Sequence, residues 1–444
     1  MDNVNYSGAV KNTLLDPVLD VKNVRSEFRI MNDETDRVLL PNLRLCLGVS
    51  CAGTPHYNFV AGAGGLIRNI FLMDGNVTLD KCRNANGWLA FQNYLGFNDE
   101  NASKFSALQQ KIIGYSVQGQ APLNDTLAGN NNDPASDQIY RSAQGTIKNV
   151  ADSLRNAGYL DLKRVLPMLS AVEGLPLSVF SGGLRIVIEY ETDLGKILSA
   201  DTNQPTTIRP VLSYDELTDE EDKQEIRSGF KGASWDAIET DLVVVPQAVL
   251  GNPAGFNPGV NNSRAVQLIN ANVKNYRGKY LKKLVIAKNP TLSGVFKNGN
   301  DFSPMGAYAS VTSINEKINV KINGAPKLPL DCDKPNKRLA LLSDTWGNAN
   351  AYPLNATFGN NKSYNILRPF DATSTLEKQV GVQDYFGVDI EDNIRDMEIK
   401  YERTVEGSAG ANSESYNSLL NLSMWGLCTK QIVVGEGGSY NVVG

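Results

Sequence analysis

The chain has 444 residues, 41% hydrophobic and 20% charged, enough apolar material for two or three cores. A net charge of −5 weighs against nucleic-acid wrapping as the main task, and a single histidine excludes any site built from several. No apolar run of about 18 residues occurs, so no transmembrane helix is expected.

The N-terminus, MDNVNYSGAVKNTLLD, is polar and lacks a basic start followed by an apolar core, so no secretory signal is expected. Residues 1–22 read as an arm whose one apolar run, Leu14 to Leu19, is too short to order it alone. A partner is therefore expected to order it. Residues 24–31 form a strand with Phe28 and Ile30 inward. The stretch from Arg37 to Lys81 then organises the chain. Leu43, Leu45, Leu47 and Val49 alternate against Arg44, Cys46 and Gly48, as a half-buried strand requires. A glycine-rich loop follows, then a strand over Leu66 to Met73, a turn at Asp74-Gly75, and a further extended run over Val77 to Leu79.

Helical spacing replaces alternation at Trp88, Phe91, Tyr94 and Leu95, and again at Phe105, Leu108 and Ile112. A loop over 116–138 and a second helical portion over Ala143 to Ala157 precede LDLKRVLPMLS, read as a short helix broken at Pro167. Strand alternation returns in GLRIVIEYET, with Leu184, Ile186, Ile188 and Tyr190 opposite Arg185, Glu189 and Glu191. The acidic segment 214–226 reads as an exposed stretch with a capping box at Thr218 and Glu221. The domain boundary is expected between Tyr214 and Trp235.

A second cycle begins near Ala233. Strands are expected in IETDLVVVPQAV, AVQLINANV, YLKKLVIAKN and EKINVKING, where Ile318, Val320 and Ile322 alternate against Lys317, Asn319 and Lys321. Residues 343–363 read as a loop. DYFGVDIEDNIRDMEIKYERTV reads as a turn and then a strand carrying Met397, Ile399 and Tyr401, and the apolar part of LNLSMWGLCTKQIVVGEGGSYNVVG as a last paired strand. Two strand-rich stretches, each with long irregular loops, argue for two β-sandwiches in tandem, an order that two linked jelly rolls fit.

Candidate chemistry is sparse. His56 sits alone in a loop, and a surface or packing role is expected for it. Gly62-Ala63-Gly64-Gly65 superficially resembles a phosphate cradle, but a strand follows it and no GK[ST] is present, so a tight loop is expected. Glu189 and Glu191 invite comparison with a glycosidase pair; both are expected on a solvent face in structural roles. Arg277, Lys279, Lys282, Lys283 and Lys288 form a basic group, read first as a guarded strand edge and second as a contact for an acidic neighbour or packaged nucleic acid. The five cysteines, Cys46, Cys51, Cys82, Cys332 and Cys428, are odd in number and form no CxxC pair, so free buried thiols are expected. No catalytic, cofactor-binding or metal-binding residue is assigned.

Arg37 before a proline-broken strand, then the glycine-rich loop and LIRNIFLMDG, resembles the first jelly roll of a family of viral capsid proteins. These are the major capsid proteins of polinton-like viruses, virophages and related eukaryotic DNA viruses. LDLKRVLPMLSAVEGLPLSVFSGGLRIVIEYET is similar to their helical insertion and the strand after it. YFGVDIEDNIRDMEIKYERT is similar to the C-terminal part of their second roll. The resemblance implies a mainly β fold of two tandem eight-stranded jelly rolls with helical insertions in the first. The expected arrangement is an arm over 1–22, a first roll over 23–230 and a second over 231–444. It further implies a non-enzymatic homotrimer of pseudo-hexameric outline that tiles an icosahedral virion shell around double-stranded DNA. The implied partners are neighbouring capsomers, a penton protein, minor capsid or cement proteins, and weak contact with packaged DNA. Loops at Gly119 to Asp137, Gly251 to Arg264 and Trp346 to Tyr364 are the expected intersubunit contacts. A carbohydrate-binding protein or glycosidase on two β-sandwiches is the alternative from another class; it would need clustered aromatics, whereas the tryptophans lie scattered at 88, 235, 346 and 425.

Overall fold

The computed structural model describes residues 10–32, 36–51, 63–96, 159–180, 182–192, 205–246, 263–290, 315–333, 335–346, 385–407, 420–435 and 439–444. The chain divides into two compact units. Met1–Phe91, Glu100–Ile238 and Cys428–Gly444 form the first, and Gln92–Asp99 with Glu239–Leu427 the second.

The first half of the chain supplies β1 (Val10–Leu15), β2 (Leu19–Val21), β3 (Arg25–Ile30), β4 (Val38–Leu39), β5 (Arg44–Cys51) and β6 (Ile67–Asp74). After these come β7 (Val77–Arg83), α1 (Ala85–Gly96), β8 (Tyr159–Asp161), β9 (Leu175–Pro176), β10 (Leu184–Tyr190), β11 (Pro205–Leu217) and α2 (Glu220–Gly229). One sheet runs β8-β5-β11-β4-β9, with β1 also on β11; a second runs β2-β3-β10-β6-β7. Alternation explains the second sheet. Leu184, Ile186 and Ile188 are buried on β10, Ile186 pairs with both Phe28 and Leu72, and Arg68 on β6 is left exposed. The turn between β6 and β7 is tight because Gly75 takes φ +53°.

The second half supplies β12 (Gly232–Val245), β13 (Ser263–Asn272), β14 (Tyr280–Pro290), β15 (Asn315–Ile322), β16 (Ala325–Pro326) and α3 (Pro335–Trp346). It closes with β17 (Tyr385–Asn393), β18 (Met397–Gly407), β19 (Leu420–Val434) and β20 (Tyr440–Val443). A third sheet runs β12-β19-β14-β17 with β20 on β19, and a fourth runs β13-β18-β15-β16. On the fourth sheet Ile318, Val320, Ile322, Met397, Ile399 and Tyr401 are buried, as their alternation predicts. The opposite parity carries ion pairs, Lys317 to Glu402 at 2.9 Å and Lys321 to Glu398 at 3.1 Å.

Several expectations change. Residues 385–393, where no strand was expected ahead of the turn, are strand β17, and its run of buried side chains follows from α3 lying against it. A Cβ on Gly387 would stand only 3.0 Å from the Cα of Leu342 on that helix. The sequence reading missed α3, and helices therefore occur beyond the first roll. Pro167 opens a 3-10 turn, Pro167–Ser170, where its missing N–H costs nothing. Helix α2 is capped by Asp219, not Thr218: the Asp219 side chain accepts from the N–H groups of Glu221 and Asp222. Nor is that segment wholly exposed, because Ile226 packs on Val38, Leu40 and Leu217. From Val10 onward the expected arm is paired with its own chain, β1 in a six-residue antiparallel register with β11 and β2 with β3. The helical portions over Phe105 to Ile112 and Ala143 to Ala157, the loop over 116–138 and His56 lie outside the described residues.

Candidate functional site

The structure gives most of the chemistry-bearing residues to the fold. Ala63–Leu66 is one 3-10 turn running directly into β6, so no helix N-terminus faces an anion there. A Cβ on Gly64 would come within 2.8 Å of Leu89 Cδ1, and close packing against α1 accounts for that glycine. Glu189 accepts a hydrogen bond from Asn69 Nδ2 at 2.7 Å. Glu191 is not on a solvent face; it is buried and accepts from Asn86 Nδ2 at 2.8 Å and from the Thr192 N–H. The two acids therefore form no cleft pair.

The basic group is likewise divided among separate roles. Lys279 pairs with buried Glu239 at 3.1 Å, while Lys283 donates to the Thr345 carbonyl and lies over the Trp346 ring. Arg277 is exposed, and the Lys288 side chain lies outside the described residues. Cys46, Cys82, Cys332 and Cys428 are free and buried, and burial pushes the Cys46 thiol up to about 11, far from a reactive thiolate. Among the described residues no group of three or more His, Cys, Asp or Glu stands ready for a metal, and no helix is long and apolar enough to cross a membrane.

Polar networks instead tie distant segments together. Arg37 donates through Nε to Glu216 Oε2 at 2.8 Å and through a terminal nitrogen to Tyr214 Oη at 2.9 Å, joining the start of β4 to β11. Asp331 accepts from Lys400 Nζ at 2.7 Å and Asn319 Nδ2 at 3.0 Å, and these bonds hold its carboxyl below the usual range. Asp80 has no solvent exposure; it accepts from the N–H groups of Met168 and Lys81, both at 2.9 Å. Burial raises its pKa to about 6.

What remains available to a partner is surface. Two groups of large apolar side chains are exposed: Val10, Leu14, Val18, Leu19, Val21 and Val24 in the first unit, and Leu242, Val244, Val266 and Leu268 in the second. Sequence reasoning singled out part of the first, the run from Leu14 to Leu19, and passed over the second. The signal was available in β13, where apolar residues occupy both parities (Val266 and Leu268 against Ile269 and Ala271), although only one face of an edge strand meets a core.

No protein-family model matches the chain, and no curated protein sequence does. Solved structures do. VP54 of PBCV-1, as fitted into a reconstruction of the virophage Sputnik, superposes with a TM-score of 0.52 at 9% identity, over 99% of this chain and 98% of that one. The mavirus major capsid protein gives 0.50 at 11% identity, over 99% and 90%. The fold is a double jelly roll. Both matches run almost the full length of each partner, so the two rolls and their order are shared. In a double jelly roll the sheets form a scaffold, and the surfaces just described are where this chain differs from a closed, self-sufficient sandwich.

Proposed function

We propose that the chain is a major capsid protein, non-enzymatic, which trimerises into pseudo-hexameric capsomers and tiles an icosahedral virion shell around a double-stranded DNA genome. The observation that carries this reading is the double jelly roll matched over 99% of the chain to the mavirus major capsid protein. It is supported by acids and bases engaged in holding strands together rather than lining a cleft, and by apolar surface left over for contact. In this reading the two rolls, 23–230 and 231–444, share the work, and the part of the expected arm from Val10 onward is already paired onto strands of the first roll. Neighbouring capsomers, a penton protein and minor capsid or cement proteins are the partners; any contact with packaged DNA is weak, given the net charge of −5. Light scattering on the purified protein, with negative-stain images of the same sample, tests the proposal. A trimer of hexagonal outline is expected, and a stable monomer at micromolar concentration refutes it.

A further inference from the structure

We draw no further inference here: the strongest candidate, the exposed apolar strip of the second unit with Leu242 and Val244 on β12 and Val266 and Leu268 on β13, carries none because nothing in the structure shows what covers it.

Discussion

The Tyr440 hydroxyl donates to Asp74 Oδ2 at 2.8 Å across 366 residues of chain. Asp74 ends β6 and its other oxygen accepts the Gly182 N–H at 2.7 Å, so one carboxylate gathers the β6–β7 turn, the entry to β10 and the C-terminal strand β20. Phe180 stacks edge-on against the Tyr440 ring, with centroids 5.7 Å apart. Burial, followed by the adjacent carboxylate, raises the pKa of the Tyr440 hydroxyl, so it stays a donor.

Tyr440→Phe keeps the ring and removes only the donor to a buried carboxylate. A loss of about 1.5–3 kcal/mol is expected from the urea unfolding midpoint of the first unit, the range for hydrogen bonds to charged groups. A variant as stable as the parent would show that the ring contact alone holds β20.

Asp80 gives a pH dependence of unusual sign. Its folded pKa of about 6 lies above the ordinary value of 3.8, so the native state takes up the proton first. Its favourable contribution is then fully present below the unfolded pKa and is lost as pH rises through about 6. Wild type should gain stability from this group as pH falls from 7 to 5, against the usual acid trend, by on the order of 1 kcal/mol. Asp80→Asn removes the titration, and the two proteins should differ in slope over that window. Parallel stability curves between pH 5 and 7 would rule out Asp80 as the titrating group.

Helix α2 allows a test of capping. Asp219 takes the cap with bonds of 3.0 and 3.2 Å to the Glu221 and Asp222 N–H groups. Asp219→Ala should cost about 1 kcal/mol, and more than Thr218→Ala. Thermal melts of the two variants decide between them; the reverse order would restore Thr218 as the cap.

These cases show what was legible and what was not. Alternation in GLRIVIEYET and EKINVKING is a local property, and β10 and β15 bury the side chains it indicates. The two-roll order was legible for the same reason, because it is a succession of such strands. Residues with two possible local roles were not: Thr218 and Asp219 both satisfy a cap pattern, and only the backbone path into α2 selects Asp219. Glu191 failed because alternation places it beyond β10 on a solvent face, whereas its neighbour Asn86 comes from a distant helix. The exposed strip on β12 and β13 was hidden because an apolar residue on a strand reads as core whether or not another element of the same chain covers it.

Gly426 tests packing in the second unit. A Cβ there would stand 2.6 Å from both Leu281 Cδ1 and Tyr276 Cε1, and neither of those side chains has solvent exposure. Tyr276 has no slack, since its hydroxyl donates to the Glu239 carbonyl at 3.1 Å. Gly426→Ala should destabilise by about 1–3 kcal/mol through overpacking, measured by chemical denaturation. A neutral result would mean that β19 can shift away from Tyr276.

The β1 pairing sets the last expectation. Val10 to Leu15 face Leu217 to Leu212 in continuous antiparallel register, and Asp215 accepts from Asn12 Nδ2 on β1 and from Asn42 Nδ2 ahead of β5. Lys11 adds a pair to Glu216, which Arg37 already holds. Backbone hydrogen bonds and this polar cluster, more than apolar burial, fix the segment, because Val10 and Leu14 remain exposed. Removing residues 1–15 should therefore leave the first unit folded but strip one side of β11 of its partner. Hydrogen exchange should lose protection at those amides of residues 212–217 that point to β1, while Arg209 and Val211, paired with Gly48 and Cys46 of β5, stay protected. Loss of protection throughout the unit would show that β1 is part of its cooperative core, and no loss at 212–217 would show that water or another segment replaces it.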